Sequence, residues 1–146
     1  MPILMLTKGL PGSGKSTWAR QWVSDADKRI RIDRDDLRSS MFGRFKLNPI
    51  EESLITLVQH SAINIALSEG YDVVVGDTNI FPGALEKLTE IGLSHDAIVE
   101  INDSFLDLDV EECIRRDIAR EVAGGHRAGE DVIRLMAGWL DNKPKS

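Results

Sequence analysis

The chain carries a single cysteine, Cys113, in 146 residues. One cysteine excludes an internal disulfide and fits a reducing, intracellular setting. Long hydrophobic runs are missing too. The N-terminal apolar stretch ends at Lys8, too short for a signal peptide or a membrane span, so a cytoplasmic protein without membrane association is expected. There are no repeats, low-complexity tracts or Pro/Gly/Ser-rich linkers. At roughly 100–200 residues per domain, the length predicts one domain over residues 1–146. Positive charge is scarce: 18 Lys and Arg stand against 24 Asp and Glu, a net −6. That sum argues against a basic nucleic-acid binder, but it hides its distribution. Residues 28–46 hold seven Lys or Arg and three Asp, and residues 115–127 hold four Arg, one Asp and one Glu. The acidic total excludes a long basic stripe for tracking a duplex, not a site for a few phosphates.

What is present is a globular composition, 42% hydrophobic and 29% charged. A chain of this size can bury about 70% of its unfolded surface without disulfide or metal staples. Short apolar runs alternate with helical segments. Ile3, Leu4, Met5 and Leu6 form a compact run before Gly9, and a helical segment covers residues 15–23. Residues 30–32 read as a second strand that ends in Asp33, Arg34, Asp35 and Asp36. Over residues 49–69 the apolar positions Ile50, Leu54, Leu57, Val58, Ala62, Ile65 and Ala66 recur at helical spacing. Pro49 sits in the first turn of that segment and Gly70 at its stop. Residues 71–75 are β-branched and too apolar for a half-exposed strand, as in a buried parallel strand. Helix, strand, helix and helix follow over residues 82–91, 97–101, 109–121 and 129–140, with a flexible connector from Ala123 to Gly129. This alternation predicts an α/β fold, a parallel sheet covered on both faces. Ligands of such sheets bind beyond the carboxyl ends of the strands.

Residues 9–17, GLPGSGKST, match Gly-x-x-x-x-Gly-Lys-Ser/Thr directly after a strand and before a helix. Glycines let backbone N–H groups turn toward phosphate oxygens, and the following helix adds its positive end. Gly12, Ser13, Gly14, Lys15, Ser16 and Thr17 are therefore expected to bind a nucleoside triphosphate. Lys15 would reach the β- and γ-phosphates and the Ser16 hydroxyl would hold Mg²⁺.

Asp35 and Arg38 are three residues apart and share a face at a helix start. A carboxylate can take a hydroxyl proton while a guanidinium grips a fixed anion and holds that hydroxyl in line. Asp36 reads as a helix cap, and Asp33 as the close of its strand. Asp77 ends the apolar strand in the position that serves Mg²⁺ or its water shell, and Thr78 and Asn79 stand where an acceptor would enter. Arg116 and Arg120 lie one helical turn apart ahead of the glycine-rich connector, as expected of a lid that closes over a triphosphate. Arg115 reads as solvated. Trp18, Trp22 and Trp139 read as core, Cys113 as a buried thiol, and His60, His95 and His126 lack the spacing of a zinc site.

In order, GLPGSGKSTWAR at residues 9–20, RDDLR at 34–38, DTN at 77–79 and Arg116-Asp117-x-x-Arg120 resemble the 5′-kinase domain of the bacteriophage polynucleotide kinases and their bacterial and animal relatives. The resemblance runs from Leu6 to about Leu140 and implies a P-loop NTPase three-layer sandwich, with a four-stranded parallel sheet in the order 2-3-1-4. It also implies an Arg-bearing lid over about residues 113–129. It implies transfer of the γ-phosphate of ATP, with Mg²⁺, to the 5′-hydroxyl of DNA or RNA. By that resemblance Asp35 is the general base and Arg38 holds the phosphate 3′ of the terminal nucleoside. Lys15, Arg116 and Arg120 are catalytic, Thr78 lines the acceptor pocket, and Ser16 and Asp77 serve the metal. Ala128 and Gly129 replace the family's usual Val-Pro in a longer connector, which leaves open whether Arg120 or Arg127 reaches the γ-phosphate. No phosphatase domain accompanies the motifs, so a separate phosphatase or ligase is an expected companion in the pathway, and the host cytoplasm the expected site if a phage encodes the chain.

A P-loop kinase of a small metabolite or nucleotide sugar shares the loop, the strand-end acids and the lid. A guanine-nucleotide switch would need Asn-Lys-x-Asp after a strand, and the sole Asn-Lys pair is Asn142 and Lys143.

Overall fold

A computed structural model describes residues 1–141. Asn142, Lys143 and the rest of the expected domain beyond Asp141 lie outside the described residues. The elements are β1 (Ile3–Thr7), α1 (Lys15–Ser24), β2 (Arg29–Arg31), α2 (Arg34–Phe42), α3 (Pro49–Ser68), β3 (Asp72–Val75), α4 (Ala84–Ser94), β4 (Ile98–Asn102), a 3-10 turn (Ser104–Asp107), α5 (Val110–Val122) and α6 (Glu130–Asp141). All strand pairs are parallel and the sheet order is β2-β3-β1-β4, the order that the family resemblance implies.

The period-2 alternation of the two central strands builds the three layers. Leu4, Leu6, Val73 and Val75 face α3 and α4, where Ile63, Ala66, Leu67 and Leu88 close over them. Met5 and Val74 face the other way, against Ala19 and Trp22 of α1. Both strands are thus buried on both faces, and each fully buried Val or Leu contributes about 1.5–3 kcal/mol of burial free energy. A satellite core of Leu10, Ile80, Cys113, Ile114 and Ile133 fastens α5 and α6 to the loops after β1 and β3. Trp139 joins that core, and Trp18 packs beside Trp22, so the tryptophans pack as expected.

Helix α3 starts as its sequence predicts. Pro49 occupies the first turn, and Asn48 and Glu51 form a reciprocal capping box. Its apolar face does not follow the expected pattern. The buried positions are Ile55, Gln59, Ile63, Ala66 and Leu67, while Ile50, Leu54, Leu57 and Ile65 are exposed. The helix carries apolar residues on two opposite faces, so periodicity could not tell which side meets the sheet. Smaller corrections concern ends: β3 begins at Asp72 rather than Tyr71, and α4 covers Ala84–Ser94 rather than 82–91. Among the described residues no helix is long and apolar enough to cross a membrane.

Candidate functional site

The carboxyl ends of the strands are tied together by their loops. The Gly9 N–H donates to the Thr78 carbonyl (3.0 Å) and the Lys8 N–H to the Asn102 carbonyl (3.0 Å). The Thr7 hydroxyl donates to the Asp77 carbonyl at 2.8 Å, and the Asn79 amide to the Thr7 carbonyl at 2.8 Å. Asn79 adopts a positive φ of 50° to do so, a conformation that asparagine tolerates better than most residues. Above this platform opens a cleft of about 710 Å³.

The cleft gathers most of the residues singled out by sequence. Gly12, Gly14, Lys15, Ser16 and Thr17 line one wall, Asp35 and Arg38 the opposite one, Asp77 and Thr78 the floor, and Arg116 and Arg120 the α5 side. Ser13 lies beneath the loop, buried, where its hydroxyl receives the Lys15 ammonium at 3.3 Å. That ammonium also donates to the Leu10 carbonyl at 2.6 Å. Loss of solvent around Lys15 lowers its pKa to about 8, against the pull of Asp77 toward the charged form. A phosphate arriving in the loop would supply the anion that this cation lacks.

Gly12 lets the loop lie directly on α5. It has φ +81°, and a Cβ there would sit 2.5 Å from the Cys113 carbonyl oxygen. The same packing brings Arg116 against Gly14, whose added Cβ would be 3.8 Å from the guanidinium. Arg116 is meanwhile held by Glu112 (3.1 Å). Arg115 pairs with Glu112 on the solvent side, as its sequence position suggested.

On the opposite wall, Arg38 is gripped from two sides. Its Nε and one terminal nitrogen meet both Glu52 oxygens at 2.8 and 2.9 Å, and its other terminal nitrogen meets Asp35 at 2.8 Å. Arg34 shares Glu52 at 2.7 Å and donates to the Thr56 hydroxyl at 2.8 Å. Burial disfavours the Arg38 charge, but the hydrogen bonds to Glu52 and the Asp35 and Glu52 charges outweigh it and raise its pKa. Glu52 is correspondingly lowered: against its own burial, it is held ionised by Arg38 and Arg34.

Asp77 accepts from the Arg34 N–H at 2.9 Å and from the Gln59 amide at 2.7 Å. Burial first, and the neighbouring Asp33 carboxylate second, raise its pKa to about 6 despite these donors. The Ser16 hydroxyl lines the same cleft and makes no hydrogen bond. A free hydroxyl and a carboxylate are oxygen donors of the kind that Mg²⁺ selects. Asp33 does more than close its strand, for it is buried, accepts from the Gly76 N–H at 2.6 Å and pairs with Arg31. Asp36 pairs with Arg31 at 2.6 Å, and among the caps of α2 no side-chain cap hydrogen bond forms, so its capping role is replaced by an ion pair.

The connector after α5 folds back onto Asp117. That carboxylate, 1% exposed, accepts from the N–H groups of Ala128 (2.8 Å) and Gly129 (2.9 Å) and from Arg120 (2.9 Å). Against the cost of burial, these donors hold it below the usual carboxylate range. Arg120 and Arg127 each keep Nε buried without a hydrogen-bond acceptor; Arg120 lines the cleft, whereas Arg127 turns to Glu121 (3.2 Å) and Asp117 (3.6 Å). His126 stacks on Phe45, ring centroids 4.1 Å apart, and so joins the connector to the loop after α2 across the cleft mouth.

Four participants escaped sequence reasoning: Glu52, Gln59, Asp117 as an anchor, and the Phe45–His126 stack. None had a readable signal: even Gln59 is one polar residue of α3 beside Thr56, His60, Ser61 and Asn64.

The family model AAA_33, an AAA domain, matches residues 4–142. The chain belongs to the AAA_33 family. Among solved structures, this AAA_33 chain resembles a chain of the Pnkp1/Rnl/Hen1 RNA repair complex at 28% identity and TM-score 0.85, covering 96% of itself and 44% of that chain. A second structure of the Pnkp1/Rnl/Hen1 complex gives 31% identity and TM-score 0.71 over 79% and 38%. The chain thus spans less than half the length of these relatives. A gluconokinase from Sinorhizobium meliloti 1021 is 18% identical with TM-score 0.59, covering 94% of this chain and 74% of its own, and shares the fold. The AAA_33 chain has a P-loop kinase fold.

Proposed function

We propose that the protein is an ATP-dependent polynucleotide 5′-hydroxyl kinase acting in the healing of nucleic-acid ends. The observation that carries this reading is the Asp35–Arg38–Glu52 array facing the phosphate loop across one cleft. It offers a proton acceptor beside a guanidinium that is already oriented for an anion, and a 5′-hydroxyl end presents those two features together. The likeness to chains of an RNA repair complex supports the same substrate class.

In this reading the N–H groups of the loop and Lys15 hold the β- and γ-phosphates of ATP. Arg38 takes the phosphate 3′ of the terminal nucleoside, and Thr78 borders the acceptor. Asp35 accepts the hydroxyl proton as the oxygen attacks in line. Arg116 and Arg120 carry the charge that spreads over the transferred group, with Arg120 favoured over Arg127 because it lines the cleft. Ser16 and Asp77 would hold Mg²⁺, which supplies further neutralisation of the phosphate oxygens. Positioning and charge neutralisation provide most of the rate in such a transfer.

The test is incubation with labelled ATP, Mg²⁺ and 5′-hydroxyl RNA and DNA oligonucleotides beside a panel of sugars and sulfated or phosphorylated nucleosides. Label on the oligonucleotide 5′ end is expected, lowered about 10²–10⁴-fold in turnover by Asp35→Ala with ATP binding kept. Label on a small metabolite alone would replace this reading with that of a metabolite kinase.

A further inference from the structure

Helix α3 is apolar on two opposite faces, and the fold covers only one. Ile50, Leu54, Leu57, Ser61 and Ile65 follow one another at spacings of four, three, four and four, so they form a single stripe. Ile50 is 82% exposed, and Leu57 and Ile65 are each 65% exposed. Opposite them Ile55, Gln59, Ile63 and Ala66 are buried against the sheet. Single exposed apolar residues are ordinary on a protein surface, but a continuous stripe along a 20-residue helix marks an interaction face.

We infer that this face pairs with the same face of a second copy, the two α3 helices running antiparallel about a two-fold axis near Ser61. Three observations choose a second copy as the occupant. The stripe is free of charge: no Asp, Glu, Lys or Arg occurs between Glu52 and Glu69, so two copies meet without repulsion despite the net −6. Its shape is self-complementary. Leu57, Val58, Ser61, Ala62 and Ile65 line a shallow groove of about 350 Å³, with the small Ser61 and Ala62 between the larger side chains. An antiparallel copy crossing at Ser61 sets its Ile65 opposite Leu57 and its Leu57 opposite Ile65.

The ends of the helix supply the third observation. Glu51 and Glu69 are eighteen residues apart, five whole turns, and so lie on one flank of the helix axis. At the N-terminal end Glu51 is neutralised by Arg44, whose side chain is half-exposed. At the C-terminal end Glu69 is exposed and makes no ion pair. The two-fold axis carries that flank onto itself with its ends exchanged, so Arg44 of one copy meets Glu69 of the other at both ends. A parallel arrangement would carry the two flanks to opposite sides of the helix pair and make no such contact.

A face about 30 Å long and 10 Å wide buries about 600 Å² over the two copies, less than a standard interface, so the dimer is a weak, transient one and independent of the cleft.

Sedimentation equilibrium on the described protein, over concentrations from about 1 µM to 1 mM, reads this directly. A monomer–dimer equilibrium is expected, weakened at least about tenfold by Leu57→Glu with Ile65→Glu, which leave the thermal melt in place because both positions are exposed. Arg44→Glu alone should weaken it, and Arg44→Glu with Glu69→Arg should restore it. Ser61→Cys should form a disulfide-linked dimer on mild oxidation, since Cys113 is buried and Ser61 lies at the axis. A protein that stays monomeric to 1 mM, a dimer indifferent to Leu57→Glu with Ile65→Glu, or a charge swap without rescue would overturn the proposal. In the first case the face belongs to another polypeptide segment.

Discussion

At the scale of single residues the site is a set of charges held in place by one another, with Glu52 at the centre of one array. Glu52 spends both oxygens on orienting Arg38. Replacing it by Gln keeps the shape but puts an amide donor against the guanidinium. A lost charge-assisted pair of this sort costs about 1.4 kcal/mol or more, or roughly tenfold. Glu52→Gln should therefore raise the KM for a 5′-hydroxyl oligonucleotide about tenfold and leave the KM for ATP unchanged. Equal effects on both would show that Glu52 merely supports the fold. Asp77 gives a pH signature. Its folded pKa of about 6 lies above the ordinary carboxylate value, so the unfolded chain gives up this proton at lower pH than the folded one. Its contribution to stability is fully present below about pH 4 and lost as pH rises through 6. Thermal melts of Asp77→Asn should lack that share of the decline, and an unchanged pH profile would count against a buried, charge-crowded Asp77.

At the scale of elements, the far end of the connector after α5 is held by one carboxylate. Asp117 on α5 takes the first N–H groups of the approach to α6, and it does so with almost no contact with water. Asp117→Ala strands those donors, at a cost of about 1–3 kcal/mol. Amide hydrogen exchange should quicken at Ala128 and Gly129 while β1 and β3 stay protected. Uniform loss of protection would instead mean that α5 and α6 do not open separately from the sheet. The elements also show where sequence reading succeeded and why. The P-loop, β1 and β3 were legible because each is a local pattern: a glycine spacing, a β-branched run, a strand meeting a helix. Asp35 and Arg38 were legible as one turn of α2. Glu52 and Asp117 were not, because their partners are 14 residues away in Arg38 and 11 or 12 away in Ala128 and Gly129. Nothing local to Glu52, in the first turn of a capped helix, separates it from an ordinary acid favoured by the helix dipole.

At the scale of the whole molecule, the net charge and the cleft have opposite signs. The chain carries −6, yet eight Lys or Arg line the cleft against five carboxylates. Much of that positive charge is already paired with Glu52, Asp35 and Glu112. Few cations remain for phosphates beyond the end of a chain, so each oligonucleotide should release few counterions. Binding of a 5′-hydroxyl oligonucleotide is expected to weaken by about 16- to 64-fold between 50 and 200 mM salt, a log–log slope of about −2 to −3. A slope near −8 would mean a long footprint that this surface does not offer.

The sequence alone determined the phosphate loop, the parallel α/β order and the candidate acid and arginines of the site. These are set by neighbours along the chain, where spacing translates directly into geometry. The tertiary structure decided which side of α3 is buried, what orients Arg38, and what pins the connector after α5. Those outcomes depend on contacts between segments far apart in sequence. For α3 in particular, a helix apolar on both sides offers two faces of nearly equal hydrophobicity. Only the docking of its capped N-terminal turn beside Arg34 and Arg38, and of Gln59 on Asp77, chooses between them.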